Sequence, residues 1–180
     1  MEFGAPGVTD TEPGRKAELI SEIVALAAEA VPGEWTSLVY APRVLTMYAE
    51  IELLARRPDG TVGRVPGPDA LDAIEELREV MYRPGAGTWF SSQWTVTNDN
   101  GQWTTEVEFN YDEEPSWSRP VDPGLYGLDL EDFPRRLDLI PDWLNARLAE
   151  ARAGTARCVR RLTHLSPPGA NGRGWCRSGP

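Results

Sequence analysis

The stretch from Phe90 to Tyr111 constrains the fold more than any other part of the chain. In "FSSQWTVTNDNGQWTTEVEFNY" apolar and polar residues alternate on both sides of Asn100 and Gly101. Both residues tolerate the positive φ that a two-residue type I′ turn requires, so the pair marks the tip of a β-hairpin. That tip fixes the register. Val96 faces Thr105, Trp94 faces Val107, Ser92 faces Phe109 and Phe90 faces Tyr111 on one side; Thr95 meets Glu106 and Gln93 meets Glu108 on the other. A hairpin with one apolar and one polar face belongs to a sheet covered by helices on one side only. By the same parity Trp89 falls on the polar face.

The flanking segments supply the helices and the remaining strands. Leu19, Ile20, Ile23, Val24 and Ala27 recur at helical spacing until "VPG" at 31–33 stops the pattern. "EWTSLVYA" (34–41) and "VLTMYAEIELLAR" (44–56), separated by Pro42, are expected to be two strands. In the second, Leu45, Met47, Ala49, Ile51 and Leu53 share one face, and Glu50 and Glu52 lie on the other. "TVGRV" after the turn "RPDGT" predicts a third strand. Pro68 and Asp69 open a second helix with the stripe Leu71, Ile74, Leu77, Arg78 and Met81. Beyond Asp112, "EEPSWSRPVDPGLYG" holds three prolines and predicts a surface loop. A short helical or turn segment near Leu128–Phe133 and a helix from about Pro141 to Ala153 follow. The expected fold is α+β: a mainly antiparallel sheet of about five strands with helices packed on one face, in the order α-β-β-β-α-β-β-α. One domain is expected over residues 15–153, between a flexible N-terminus (1–14) and a basic, disordered tail (154–180).

Charge is distributed unevenly. The chain carries 28 acids and 18 bases, a net of −10. From Arg152 onward there are six arginines and no acid, which leaves residues 1–151 with 28 acids and 12 bases, a net of −16. A body this acidic repels nucleic-acid phosphates and anionic membrane surfaces and is steered toward basic partners, though it also serves plain solubility. No apolar run approaches the roughly 18 residues of a membrane span. "MEFGAPGVTDTEPG" lacks the basic start and apolar stretch of a secretory signal, so a cytoplasmic protein is expected. There Cys158 and Cys176 are expected to be free thiols.

Most catalytic chemistries lack their residues here. The single histidine, His164, sits at the margin of the tail and reads as a solvated surface side chain. No glycine-rich phosphate loop with its lysine follows a strand, and Cys and His are too few for a zinc site. Two carboxylate pairs remain, Glu50 with Glu52 and Glu106 with Glu108. Spaced i, i+2 on a strand, each pair projects from one side, as a metal-dependent hydrolase requires. They serve equally as the polar face of a one-sided sheet. The cations a nuclease needs are not near them, since the only lysine, Lys16, lies on the first helix.

The end of the hairpin is a different kind of sequence. Tyr111, Trp117 and Tyr126 punctuate the acids Asp112, Glu113, Glu114 and Asp122. Exposed rings beside like charges form a surface able to anchor a basic protein; alternatively, Trp117 folds back as a lid on the core. Trp35, Trp94, Trp103 and Trp143 read as core or core margin, whereas Trp89 is a candidate contact.

Taken in order, "VPGEWTSLVYA", "YAEIEL" and "GTWFSSQWTVTNDNGQWTTEVEFNYDEEPSW" resemble the YezG-like immunity proteins (antitoxins) of bacterial polymorphic toxin systems. The similarity spans residues 17–117 and is carried by Trp35, Tyr40, the Trp89–Trp94 segment, Asn100 with Gly101, and the Phe109, Tyr111, Asp112 ending. "YGLDLEDFPRRLDLIPDWL" and the basic tail depart from the shorter family pattern. The resemblance implies a non-enzymatic inhibitor that binds a cognate toxin domain, commonly a nuclease, and occludes its active site. It implies no catalytic residue, metal or cofactor. Glu106, Glu108, Asp112, Glu113 and Glu114 would meet the toxin's cations, while Trp89, Tyr111 and Trp117 supply desolvated anchors. Two other classes fit the residues: a general interaction module, monomeric or dimeric through a sheet edge, and a metal-dependent hydrolase working on a Glu-x-Glu face.

Overall fold

The computed structural model describes the backbone of residues 11–165 and the side chains of residues 14–154. Its elements are α1 (Thr11–Glu29), β1 (Ser37–Leu45), β2 (Tyr48–Arg56), β3 (Val62–Val65), α2 (Leu71–Val80), β4 (Ser91–Asp99), β5 (Gln102–Asn110), α3 (Pro123–Asp132), a short 3-10 turn (Leu137–Leu139) and α4 (Asp142–Leu165). The strands form one antiparallel α+β sheet in the order β3-β2-β1-β4-β5. The Asn100–Gly101 tip adopts positive φ at both residues, 51° and 90°. It delivers the expected register from Ser92 opposite Phe109 to Asp99 opposite Gln102.

Strand alternation decides where the main core sits. Leu38 and Tyr40 of β1, Leu53 of β2, and Trp94 and Val96 of β4 point to one face. There α1 lays Leu19 and Ile23, and α2 lays Ile74 and Leu77. All are buried, and each such aliphatic side chain stabilises the fold by about 1.5–3 kcal/mol.

The sheet differs from the sequence expectation at two places. Pro42 does not separate two strands; it lies inside β1, the central strand, and the break is the Thr46–Met47 turn, with Leu45 opposite Tyr48. Met47 is consequently exposed at that turn. The β1–β4 ladder pairs Tyr40 with Trp94 and Arg43 with Ser91 but skips Ala41 and Pro42, so no N–H is required where proline has none. Trp89, expected on the polar face, is instead fully buried in the main core, its ring 5.4 Å from that of Phe109. The parity slips because the Phe90 N–H donates to Asn110 O at 2.8 Å, while Asn110 also faces Ser91. Two residues opposite one make a β-bulge, which turns Phe90 to the other side of the sheet. Trp103, expected at the core or its margin, lies at the margin, 48% exposed and leaning on Trp35.

Only α1 and α2 cover the expected face. Leu45, Phe90, Tyr126 and Leu144 form a second, smaller cluster with α3 and α4, at the end of the sheet where β1 finishes and β4 starts. Residues 123–127, expected in a loop, open α3: the Asp122 carboxylate accepts from the Gly124 N–H at 2.8 Å and Pro123 occupies the first turn. α4 continues through Gly154 to Leu165. One interior glycine costs only about 1 kcal/mol relative to alanine, and no proline follows before Pro167. Likewise α1 begins at Thr11, inside the terminus expected to be flexible. Residues 1–10 and 166–180, and the side chains of Cys158, His164 and Cys176, lie outside the described residues.

A buried ion pair joins the two clusters. Arg78, the polar member of the α2 stripe, donates from Nη2 to both oxygens of Asp129 on α3, at 2.8 and 3.0 Å. Asp129 also accepts the Thr46 N–H at 2.9 Å, and Arg78 Nε donates to Trp89 O at 3.1 Å. Both side chains are 2% exposed, so the charges are sustained by these partners and not by water.

Candidate functional site

The face of the sheet opposite α1 and α2 is where unpaired carboxylates gather. β5 is an edge strand, exposed except at the half-buried Val107, Phe109 and Asn110, with Glu106 and Glu108 on this outer face opposite Thr95 and Gln93. Neither glutamate has an ion-pair or side-chain hydrogen-bond partner among the described residues.

Asn110 ends the strand and turns the chain. Its Oδ1 accepts from the N–H groups of Asp112 (3.2 Å) and Glu113 (2.8 Å), and its Nδ2 donates to Ser91 Oγ and Glu113 O. This side-chain mimic of a turn explains why an acidic run follows the strand directly. The loop it starts is then fixed from behind. Arg135 Nη2 donates to Thr88 O and Tyr111 O, both at 2.8 Å, with its guanidinium 4.8 Å from the Phe90 ring. Burial pulls this guanidinium down from its ordinary value, against the nearby Asp112 carboxylate. Trp143 Nε1 donates to Asp112 O at 2.7 Å, and Arg147 binds Glu114 at 2.7 Å. Gly87 makes room for Arg135, since a Cβ there falls within 3 Å of its side chain. Arg135, between α3 and the 3-10 turn, and Trp143 and Arg147 of α4 thus brace the acidic loop from behind.

Between this loop and the strands lies an open groove of about 580 Å³. Arg43 and Gln93 line it from the sheet, Glu108 from β5, and residues 111–116 from the loop. The structure therefore gathers Glu108, Tyr111, Asp112, Glu113 and Glu114 around one groove, with Glu106 next to it. Asp112 is exposed and only 3.6 Å from Arg135, and Glu114 is engaged by Arg147, so Glu113 is the loop acid without an ion-pair partner among the described residues.

Of the aromatic candidates, Trp89 and Trp117 do not line this groove. Trp89 is in the main core on the other side of the sheet. Tyr111 is half-buried, its ring 4.8 Å from the Arg83 guanidinium, and burial pushes its hydroxyl up. Trp117 packs on Tyr48 at 5.4 Å and donates from Nε1 to Tyr126 OH at 2.9 Å, as a lid on the second core. Arg43, the cation of the groove, carries no signal of its place in the sequence, because Pro42 predicts a strand break beside it. Its place on the outer face follows once β1 is continuous, and it lies 3.5 Å from Glu52.

The other carboxylate pair is committed internally. Glu50 accepts from Tyr48 OH, Ser118 N–H and Ser118 Oγ, and Glu52 pairs with Arg43 and Arg64. Among the described residues no group of three or more His, Cys, Asp or Glu is placed to hold a metal ion, and no helix is long and apolar enough to cross a membrane. Comparison with protein-family models and with curated proteins finds no match to this chain.

Proposed function

We propose that this protein is a non-enzymatic inhibitor that binds a basic protein partner, the active domain of a polymorphic toxin, and blocks its cleft with the acidic outer face of β5 and the loop after it. The observation that carries this reading is the solvent-exposed set Glu106, Glu108 and Glu113 beside an open groove, in a body of strong negative charge. Carboxylates on a fixed scaffold can take the place of nucleic-acid phosphates in a cationic cleft, steering association and setting register. The resemblance to YezG-like immunity proteins points to the same class of partner. Affinity comes less from the rings than the sequence suggested, because Trp89 is buried, Trp117 is a lid and Tyr111 packs against the main core with Arg83 over its ring.

The test is to look for a neighbouring gene that encodes a toxin domain, as this reading requires, and to titrate that domain against the protein and against a Glu106→Gln, Glu108→Gln, Glu113→Gln variant. The expected outcome is tight binding by the wild type, with the variant associating about tenfold more slowly and losing much of its salt dependence. Equal association rates and salt slopes for the two proteins defeat the reading.

A further inference from the structure

We infer that the free edge of β5 is a strand-docking site, and that its occupant is an extended segment of a partner protein with Lys or Arg at alternate positions. The inference rests on the proposed binding of a basic partner and adds the geometry by which such a partner is held. β5 runs for nine residues, Gln102–Asn110, with no proline, and it pairs on one side only. In a hairpin closed by a two-residue turn, Asp99 and Gln102 form the first hydrogen-bonded pair, and bonded pairs then alternate along the ladder. The N–H and C=O groups of Trp103, Thr105, Val107 and Phe109 therefore point away from β4. Among the described residues nothing bonds them. A long edge without proline is a template for another strand unless it is blocked.

The side chains of β5 select what can pair. An added strand places its outer-face residues beside Thr104, Glu106 and Glu108, at the spacing of cross-strand neighbours, about 4.5–5.5 Å between Cβ atoms. Cations at two successive outer positions are complementary to Glu106 and Glu108. The alternate residues of the added strand fall on the inner side, next to the exposed Trp103 ring and the half-buried Val107, which favours apolar or β-branched side chains. A second copy of this chain is a poor occupant: antiparallel self-pairing centred on the strand sets Glu106 against Glu106 or Glu108 of the other copy, and like charges directly opposite repel.

The test uses a synthetic peptide of about nine residues, the length of β5, alternating lysine with valine or threonine. Its controls are a block-sequence peptide of the same composition and a version N-methylated on the edge that would face β5. Amide hydrogen exchange by NMR is the readout. The expected result is saturable binding that protects the amides of Trp103, Thr105, Val107 and Phe109, weakened about tenfold or more by N-methylation, as loss of backbone hydrogen bonds predicts. Thr105→Pro removes one outward N–H where an edge strand tolerates proline, so it should keep the fold by circular dichroism and lose the peptide. Equal affinity for the alternating, block and N-methylated peptides, or protection confined to residues 111–116, overturns strand pairing while leaving binding of basic partners intact. No binding of any basic peptide, with the toxin domain still bound in a salt-dependent way, also overturns it. Protection of the four amides that grows with protein concentration and needs no peptide identifies a second copy as the occupant and rejects the basic strand.

Discussion

Glu50 with Glu52 and Glu106 with Glu108 share one spacing, one strand parity and one face of one sheet, yet their fates are opposite. Near Glu50 the chain returns: Ser118 caps its carboxylate, Tyr48 donates to it, and Arg43 and Arg64 take Glu52. Around Glu106 and Glu108 no side chain among the described residues returns to pair with them, because β5 is the last strand of the sheet and the chain passes from its end into the loop, α3 and α4. The difference teaches that a carboxylate pair on a strand acquires its role from what packs over it. The end held by α3 and α4 engages its acids within the fold, and the bare edge leaves its acids unengaged among the described residues, as the proposed binding of a basic partner requires.

The largest break in that contrast lies where the held end depends on a single acid. Asp129→Asn leaves the Arg78 guanidinium buried without its counter-charge, and the loss of one partner from such a pair costs about 3–5 kcal/mol. Urea denaturation followed by circular dichroism should show that loss. A change below about 1 kcal/mol would mean that water or the Trp89 carbonyl sustains Arg78 alone.

Next in size is Gly87→Ala. Gly87 has a φ of 79°, and an added Cβ collides with the Arg135 side chain at Nε. Backbone strain and displacement of Arg135 together should cost about 1–3 kcal/mol. The amides of Tyr111 to Glu114 should exchange faster as the loop loses its support, which hydrogen exchange measures directly. Unchanged exchange in a destabilised protein would show that Asn110 alone shapes the loop.

A smaller effect is expected from Glu50→Gln, and it depends on pH. Burial, the largest single influence on Glu50, pushes its carboxyl up, but hydrogen bonds from Ser118 and Tyr48 together with Arg43 outweigh it and hold the group below its ordinary value of 4.5. A lowered folded pKa stabilises the fold above the unfolded pKa, and that contribution fades as pH falls through the folded value. Wild type should therefore exceed the variant by about 1 kcal/mol at neutral pH, with the difference shrinking as pH falls below 4.5 and through the lowered folded value. A difference that does not change with pH on the acid side would assign the effect to packing.

The sequence made the bare end more legible than the held end, for a physical reason. The β4–β5 hairpin is specified locally: Asn100 and Gly101 set the turn, the turn sets the register, and alternation sets the faces, so the positions of Glu106 and Glu108 followed without knowledge of the rest. The held end is assembled from distant parts. Arg78 and Asp129 are 51 positions apart, and the arginine looked like an irregularity in an apolar stripe. The Phe90 bulge moved Trp89 into the core through one hydrogen bond that no alternation rule contains. Asp122 followed by Pro123 was a helix-start signal within reach, obscured by the surrounding prolines.

The smallest effect on stability is predicted at the bare edge, and its smallness is the point. Glu106→Gln with Glu108→Gln removes two carboxylates that have no ion-pair or side-chain hydrogen-bond partner among the described residues and that repel each other across one strand face. Exposed substitutions of this kind usually shift stability by less than about 0.5 kcal/mol, and relief of repulsion in an acidic body biases the change toward stabilisation. The melting midpoint should hold or rise slightly at low salt, and the gain should vanish as added salt screens the charges. If the double variant instead melts several degrees lower, the two glutamates are structural after all. The contrast with Glu50 and Glu52 then disappears, and with it the argument that this edge is kept free for a partner.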